Sequence, residues 1–347
     1  MTLGAILAAV SIVFPPEGAK LPALSRCYVM GAEDAGEEVL EVRRLASGDD
    51  AGVTNRVTVW RTGAWATVVD VVPGANVVEV GGVKRSFFVG SVGSLGSLGS
   101  VGSVGSLGSV GSVGSKGAVG AKGALGSVGP KGSVGPKVEK TYKKLEYAGD
   151  VAKAHPTGKK PGEITVVVDA GHGGHDSGAL SPHGLPEKDA NLRLAKAVRD
   201  ELGERGYKVV LTREDDTFVG LFDRPKVAHK ADADLFVSIH HNATGYSSNP
   251  TAIRSQSVYA WNPLGERLAK AINARMAAAD PLLKNDGVLH ANFAVTRNPE
   301  IPSCLIETDF ITHPDGESAA WDASRRSAVA AAIADGIADW VAVKPSL

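Results

Sequence analysis

Short runs of apolar positions set the pattern of the first 89 residues. "RVTVW" (56–60), "AWATVVDVV" (64–72) and "NVVEV" (76–80) are β-branched and partly alternate in polarity, with "PGAN" and "GG" as turns between them. This predicts a small all-β sandwich over 1–89. From residue 162 the period changes. "ITVVVDA" is a continuous apolar run, as expected of a strand buried on both faces. "EKDANLRLAKAVRDELGERG" carries Leu192, Ala195, Val198 and Leu202 on one helical stripe, which Gly203 or Gly206 would end. "KVVLT", "DLFVSI", "SVYAW" and "SCLIE" predict further strands. "PLGERLAKAINARMAAA" and "SRRSAVAAAIADGIADWVAV" predict helices. Strands alternating with helices predict an α/β domain over 162–347, with a largely parallel sheet, helices on both faces and ligands at the carboxyl ends of the strands.

The chain between these regions has neither period. Glycine occupies every third position from Gly90 to Lys137, through 16 triplets such as "GSVGSLGSL". Gly-X-Y spacing is what a collagen triple helix requires, and a trimer would follow from it. Only Pro130 and Pro136 supply imino acids, so a Gly/Ser-rich tether is the expected state, spanning about 40 Å as a coil and about 150 Å if extended. A Lys-rich linker follows over 138–161. Lys116 to Lys160 holds ten lysines against Glu139, Glu146 and Asp150, a cationic stretch that could meet anionic envelope polymers.

Charge and cysteine content narrow the function classes. A formal net charge of −1 over 347 residues gives no reason to expect a nucleic-acid partner. Cys27 and Cys304 are too far apart in sequence and setting to read as a CxxC site or a disulfide framework. "MTLGAILAAVSIVF" has the apolar length of a signal peptide but no preceding Lys or Arg. The competing reading makes "VSIVF" the first strand of the sandwich.

Candidate chemistry centres on "VVVDAGHGGHDSGAL" (166–180). It is neither a G-x-G-x-x-G nor a P-loop pattern, so a phosphate cradle is not expected. A metal site fits better. His172 follows one predicted strand, His240 and Glu307 end two others, and Glu187 opens the first helix of the α/β region. Two imidazoles and two carboxylates therefore collect on one sheet edge. Two His and one carboxylate are a common zinc set, and a further carboxylate suits a general base. His240 and His241 point to opposite faces of an extended strand, so only one of them would join the set. Arg224 and Arg297 could meet an anionic part of a substrate or stand in structural ion pairs.

In order along 164–313, "VVVDAGHGGHDSGA", "GLPEKDANLRLA", "GYKVVLTRE", "ADLFVSIHHNA" and "CLIETDFITH" resemble the motifs of the zinc-dependent N-acetylmuramoyl-L-alanine amidases. The resemblance implies a flavodoxin-like catalytic domain, Zn²⁺ held by His172, Glu187 and His240, and Glu307 as catalytic acid/base. The substrate it implies is peptidoglycan in the cell envelope, cut between N-acetylmuramic acid and L-alanine. Asn242, His241 and Arg297 are candidate substrate contacts. Asp309 and His241 depart from residues common at their positions in that family. The short stretch from His241 to Val258 leaves little room for an occluding insertion. Separately, "GAWATVVDVVPGANVVEVGG" resembles the terminal hairpin of bacterial immunoglobulin-like modules, and a spacer or adhesive role is expected of that module, with the linker letting the enzyme range around its anchor. Two other functions are weighed: an adhesive or structural surface protein with an inactive wall-binding domain, and another zinc peptidoglycan hydrolase.

Overall fold

The computed structural model describes residues 10–34, 36–48, 50–91, 158–298 and 300–343. The start of the chain, nearly all of the Gly-X-Y run and most of the Lys-rich linker lie outside them.

The described residues from 10 to 89 form two sheets around one core. β1 (Ser11–Phe14), β3 (Arg26–Ala32) and β6 (Ala64–Asp70) make the smaller sheet, in the order β1-β3-β6. β2 (Ala19–Leu21), β4 (Val39–Arg44), β5 (Val53–Thr58), β7 (Gly74–Val80) and β8 (Val83–Val89) make the larger, in the order β2-β8-β7-β4-β5. Alternation does the sorting. Along β4, Leu40, Val42 and Arg44 are buried while Val39, Glu41 and Arg43 face water. Ile12, Val29, Val42, Trp65, Val69, Val78 and Phe87 meet between the sheets. Residues 11–14 are a strand of this sandwich, as the second reading of the N-terminus had it.

The α/β region holds one six-stranded sheet. Its strands are β9 (Thr165–Ala170), β10 (Lys208–Leu211), β11 (Leu235–Asn242), β12 (Gln256–Ala260), β13 (Asn285–His290) and β14 (Ser303–Phe310), in the order β10-β9-β11-β14-β12-β13. Neighbours are parallel except β12 against β14, which run antiparallel. The three site-bearing strands are β9, β11 and β14, side by side at the centre.

Helices α1 (Glu187–Glu204), α3 (Pro263–Ala279) and α5 (Ala323–Ala342) share one face of this sheet. Leu194, Val198 and Leu202 of α1 pack there with Leu268 and Ile272 of α3 and Ile333 and Ile337 of α5, over Val166, Val168, Val237, Ile239 and Ile306. Each such side chain contributes roughly 1.5–3 kcal/mol relative to an exposed one. The opposite face is thinner than expected: α2 (Arg224–Lys230) contributes Ala228, and Phe293, Val295 and Ile301 of an irregular segment complete the layer over Val167, Phe236 and Leu305. A short α4 (Pro314–Trp321) follows β14.

Local signals set the helix ends. Gly206, not Gly203, stops α1: its N–H reaches the Gly203 carbonyl, and its φ of 84° turns the chain so that Tyr207 N–H reaches Leu202 O, a paired closure that satisfies two end carbonyls. Asn262 Oδ1 accepts from Gly265 N–H at 2.9 Å to open α3, with Pro263 at the first position.

Candidate active site

The glycine-rich turn leaves β9 and places His172 in the left-handed region, at φ 61°. A histidine rarely adopts this conformation, so the surroundings must hold it there. They do so through a buried ion pair beneath the turn. Arg224 Nη1 donates to Asp169 Oδ1 at 2.8 Å and to Ala170 O at 2.8 Å, and Nη2 donates to His172 O at 2.8 Å. Asp169 is fully buried and also accepts from Ser238 Oγ and Thr212 Oγ1, both at 2.6 Å. Burial opposes its charge, but Arg224 and the two hydroxyls hold its carboxyl below the usual range. Arg224 is thus in a structural ion pair, not at a substrate. Arg224→Ala should cost about 3–5 kcal/mol in urea unfolding, because it strands the Asp169 charge in the core.

The turn's glycines are explained by crowding. A Cβ on Gly171 would stand 2.2 Å from the His240 ring, and one on Gly178 would stand 2.6 Å from Glu187 Oε2. Any side chain there would push a site residue out of place.

His172, Glu187 and His240 converge as expected, each offering one ligand atom within 4.8 Å of the others. His172 Nε2 lies 3.2 Å from Glu187 Oε2, and His240 Nδ1 lies 3.0 Å from Glu187 Oε1. Glu187 is the first residue of α1, where the helix dipole favours a carboxylate. Burial disfavours its charge, yet the two histidines bring its carboxyl well below the usual range. Burial likewise opposes the charge on His172, but Glu187 and Asp176 outweigh it and push the imidazole up to about 10. His240 shifts the other way, down, through burial and repulsion from His172.

Glu307 faces this cluster from the neighbouring strand, in register with His240. It is 7% exposed, and its Oε2 is buried with no hydrogen-bond partner. Burial and repulsion from Glu187 raise its carboxyl well above the ordinary value. Asp309, the other acid of this strand, is committed elsewhere: Arg254 binds it through both Nε and Nη2, and Arg325 Nη2 lies 3.3 Å away.

The side chains of the three candidate substrate contacts bond elsewhere, although the His241 main-chain N–H donates to Glu187 Oε1 at 3.3 Å. His241 is 3% exposed and turned toward α1, its Nδ1 2.8 Å from Asn191 Oδ1, and burial drives its imidazole down to about 4. Asn242 Oδ1 accepts from Ala243 N–H at 2.8 Å. Arg297 donates to the carbonyls of Phe293 and Asn292, both at 3.3 Å.

Two supporting residues escaped the sequence reading. Asp176 Oδ2 sits 2.9 Å from His172 Nδ1, which orients the ring and leaves Nε2 facing Glu187. Asn191 Nδ2 donates to Glu187 Oε1 at 3.0 Å. Both lie four residues beyond the group they support, a spacing that could have flagged them.

Comparison with known proteins agrees with this geometry. Residues 166–339 match the family described as N-acetylmuramoyl-L-alanine amidase, and residues 89–142 match the collagen triple helix repeat. N-acetylmuramoyl-L-alanine amidase AmiA of Escherichia coli (strain K12) is 36% identical over 225 residues, 52% of this chain and 76% of that protein. The amidase LytC of Bacillus subtilis (strain 168) is 39% identical over 173 residues, 50% of this chain and 34% of that one. The solved amidase AmiC2 of Nostoc punctiforme shares 36% identity and covers 51% of this chain and 96% of its own, with a TM-score of 0.48. Matched over half its length, and with two imidazoles and a carboxylate gathered where the matched motifs converge, the chain belongs to the N-acetylmuramoyl-L-alanine amidase family.

Proposed function

We propose that the protein is a zinc-dependent hydrolase of the cell envelope that cuts the amide between N-acetylmuramic acid and the L-alanine of the stem peptide. The observation that carries this is the convergence of His172, Glu187 and His240 beside the unpartnered Glu307 carboxyl. The donor set fits the metal: two imidazole nitrogens and one carboxylate are a zinc complement that leaves a coordination position open. When bound, the ion supplies Lewis acidity, polarising the scissile carbonyl and acidifying water.

The protein's own groups do the rest. Asp176 holds the His172 ring, and Arg224 holds its backbone. Glu307, drawn back toward ionisation by a nearby cation, takes a proton from the attacking water as its oxygen bonds to the carbonyl carbon. It returns that proton to the alanine nitrogen as the C–N bond breaks.

This reading divides the chain into an immunoglobulin-like module (1–89), a Gly-X-Y linker (90–137), a Lys-rich linker (138–161) and a flavodoxin-like amidase domain (162–347). A matched collagen repeat allows trimerisation through the linker, and the lysines would add weak attraction to anionic wall polymers. Among the described residues, no helix is long and apolar enough to cross a membrane.

Zinc titration of the metal-free protein tests the site. With His172 pushed up to about 10, its imidazole is protonated at pH 7 and must lose that proton to bind. Calorimetry in buffers of different ionisation enthalpy should therefore show about one proton released per zinc, and affinity rising with pH. Binding without proton release would place the ion elsewhere.

A further inference from the structure

The sandwich is not merely joined to the catalytic region by the linker but lies against it, and the contacts fall on the loops that carry the site. Tyr246, in the loop leaving β11 after His240, packs into the sandwich core and stacks on Phe14 at 5.6 Å, in line with the Phe14–Tyr28 stack at 4.3 Å. Its carbonyl accepts from Tyr28 N–H at 2.7 Å, and Ser247 Oγ donates to Arg26 O at 3.2 Å. Burial raises the Tyr246 phenol to about 12.

Trp60 forms the second contact, on the segment that leaves β14 after Glu307. Its Nε1 donates to Asp315 Oδ1 at 3.1 Å, and its ring meets His313 edge-on at 5.4 Å. His313 caps α4, accepting from Asp315 N–H at 3.0 Å. The third contact is the loop leading into Glu187. There, Glu317 of α4 holds Ser181 Oγ at 2.5 Å and His183 Nδ1 at 2.7 Å. The sandwich closes over this loop, with Val13 beside Gly184 and Gly63 near His183.

Loops next to Glu187, His240 and Glu307 thus all rest on one β-module. We propose that the module is a fixed wall of the catalytic body, docked in cis through Tyr246 and Trp60, and that it braces the rim of the active site. This replaces the expectation of an enzyme ranging around a loosely tethered anchor. Tyr246 and Trp60 act as positioning residues, since neither belongs to the ligand cluster. The bracing half rests on the amidase reading; the docking half does not.

The test uses the full chain with a protease site inserted between residues 91 and 158. After cutting, the two fragments should co-elute in gel filtration and turn over peptidoglycan like the uncut protein. In the Trp60→Ala/Tyr246→Ala double variant they should separate, and kcat of the uncut variant should fall about 5–10-fold with zinc content unchanged. Tyr246→Phe, which keeps the stack and the backbone bond, should restore both. Should the double variant not fold, Trp60→Phe, which removes the bond to Asp315 and part of the indole surface but keeps an aromatic ring, carries the kcat readout with a smaller expected loss. Wild-type fragments that separate overturn the docking. Variants that retain full kcat overturn the bracing. Co-elution needs no activity, so either failure is distinct from a failure of the amidase reading.

Discussion

Glu307→Gln is expected to lower turnover about 10²–10⁴-fold while zinc content holds and thermal stability does not fall. The size of the loss follows from removing a positioned acid/base. The stability expectation follows from the same burial that qualifies Glu307 for the role. An acid whose pKa is raised by folding binds its proton more tightly in the folded protein than in the unfolded chain. Above the ordinary carboxylate value near pH 4.5, that difference works against the fold, and increasingly so as pH rises. An amide of the same shape carries no ionisable proton and escapes the penalty. Kinetics, metal analysis and thermal melts at pH 5 and 8 would check this. A residue of merely structural importance would instead lose stability along with activity.

Glu187→Gln should have a comparably large effect through another route. Removing the carboxylate takes away the one anionic member of the His172/Glu187/His240 set, and turnover should drop about 10³-fold or more. Lewis-acid assistance is worth several kcal/mol, at about 1.4 kcal/mol per factor of ten. The substitution also changes the proton count. Glu187 is the strongest influence raising His172 against its burial, so in the variant the imidazole falls and is less protonated at pH 7. Fewer protons should then leave for each zinc bound, and the residual affinity should depend less on pH. A variant that binds zinc as tightly as wild type, with the same proton release, would remove Glu187 from the metal site.

The chemistry was more legible in the sequence than its supports were. His172, Glu187, His240 and Glu307 each stand at the end of a strongly apolar strand or at the start of an amphipathic helix, so the pattern that marks the element also places the residue. Asp169 and Arg224 lie 55 residues apart and meet only because β9 and α2 are neighbours in space; nothing local announces the pair. Apolar content does not reveal strand direction, which is why the antiparallel β12–β14 pairing was not foreseen. β13 reads "NDGVLH", and its Asp-Gly step suggests a turn where the chain forms an edge strand. His241 shows the limit of motif proximity: one residue from His240, it faces the other side of the sheet and binds Asn191. Trp60 meets Asp315 across 255 positions and Ser247 meets Arg26 across 221, and neither docking contact has a signature in its own segment.

The most direct measurement is mass spectrometry of purified peptidoglycan digested by the full-length protein, run with zinc, after chelation and with Glu307→Gln. Free stem peptides beginning at L-alanine, released only by the zinc-loaded wild type and recovered when zinc is returned, are the result predicted. Intact muropeptides from folded, zinc-loaded protein, or the same peptides from chelated protein, would contradict the account.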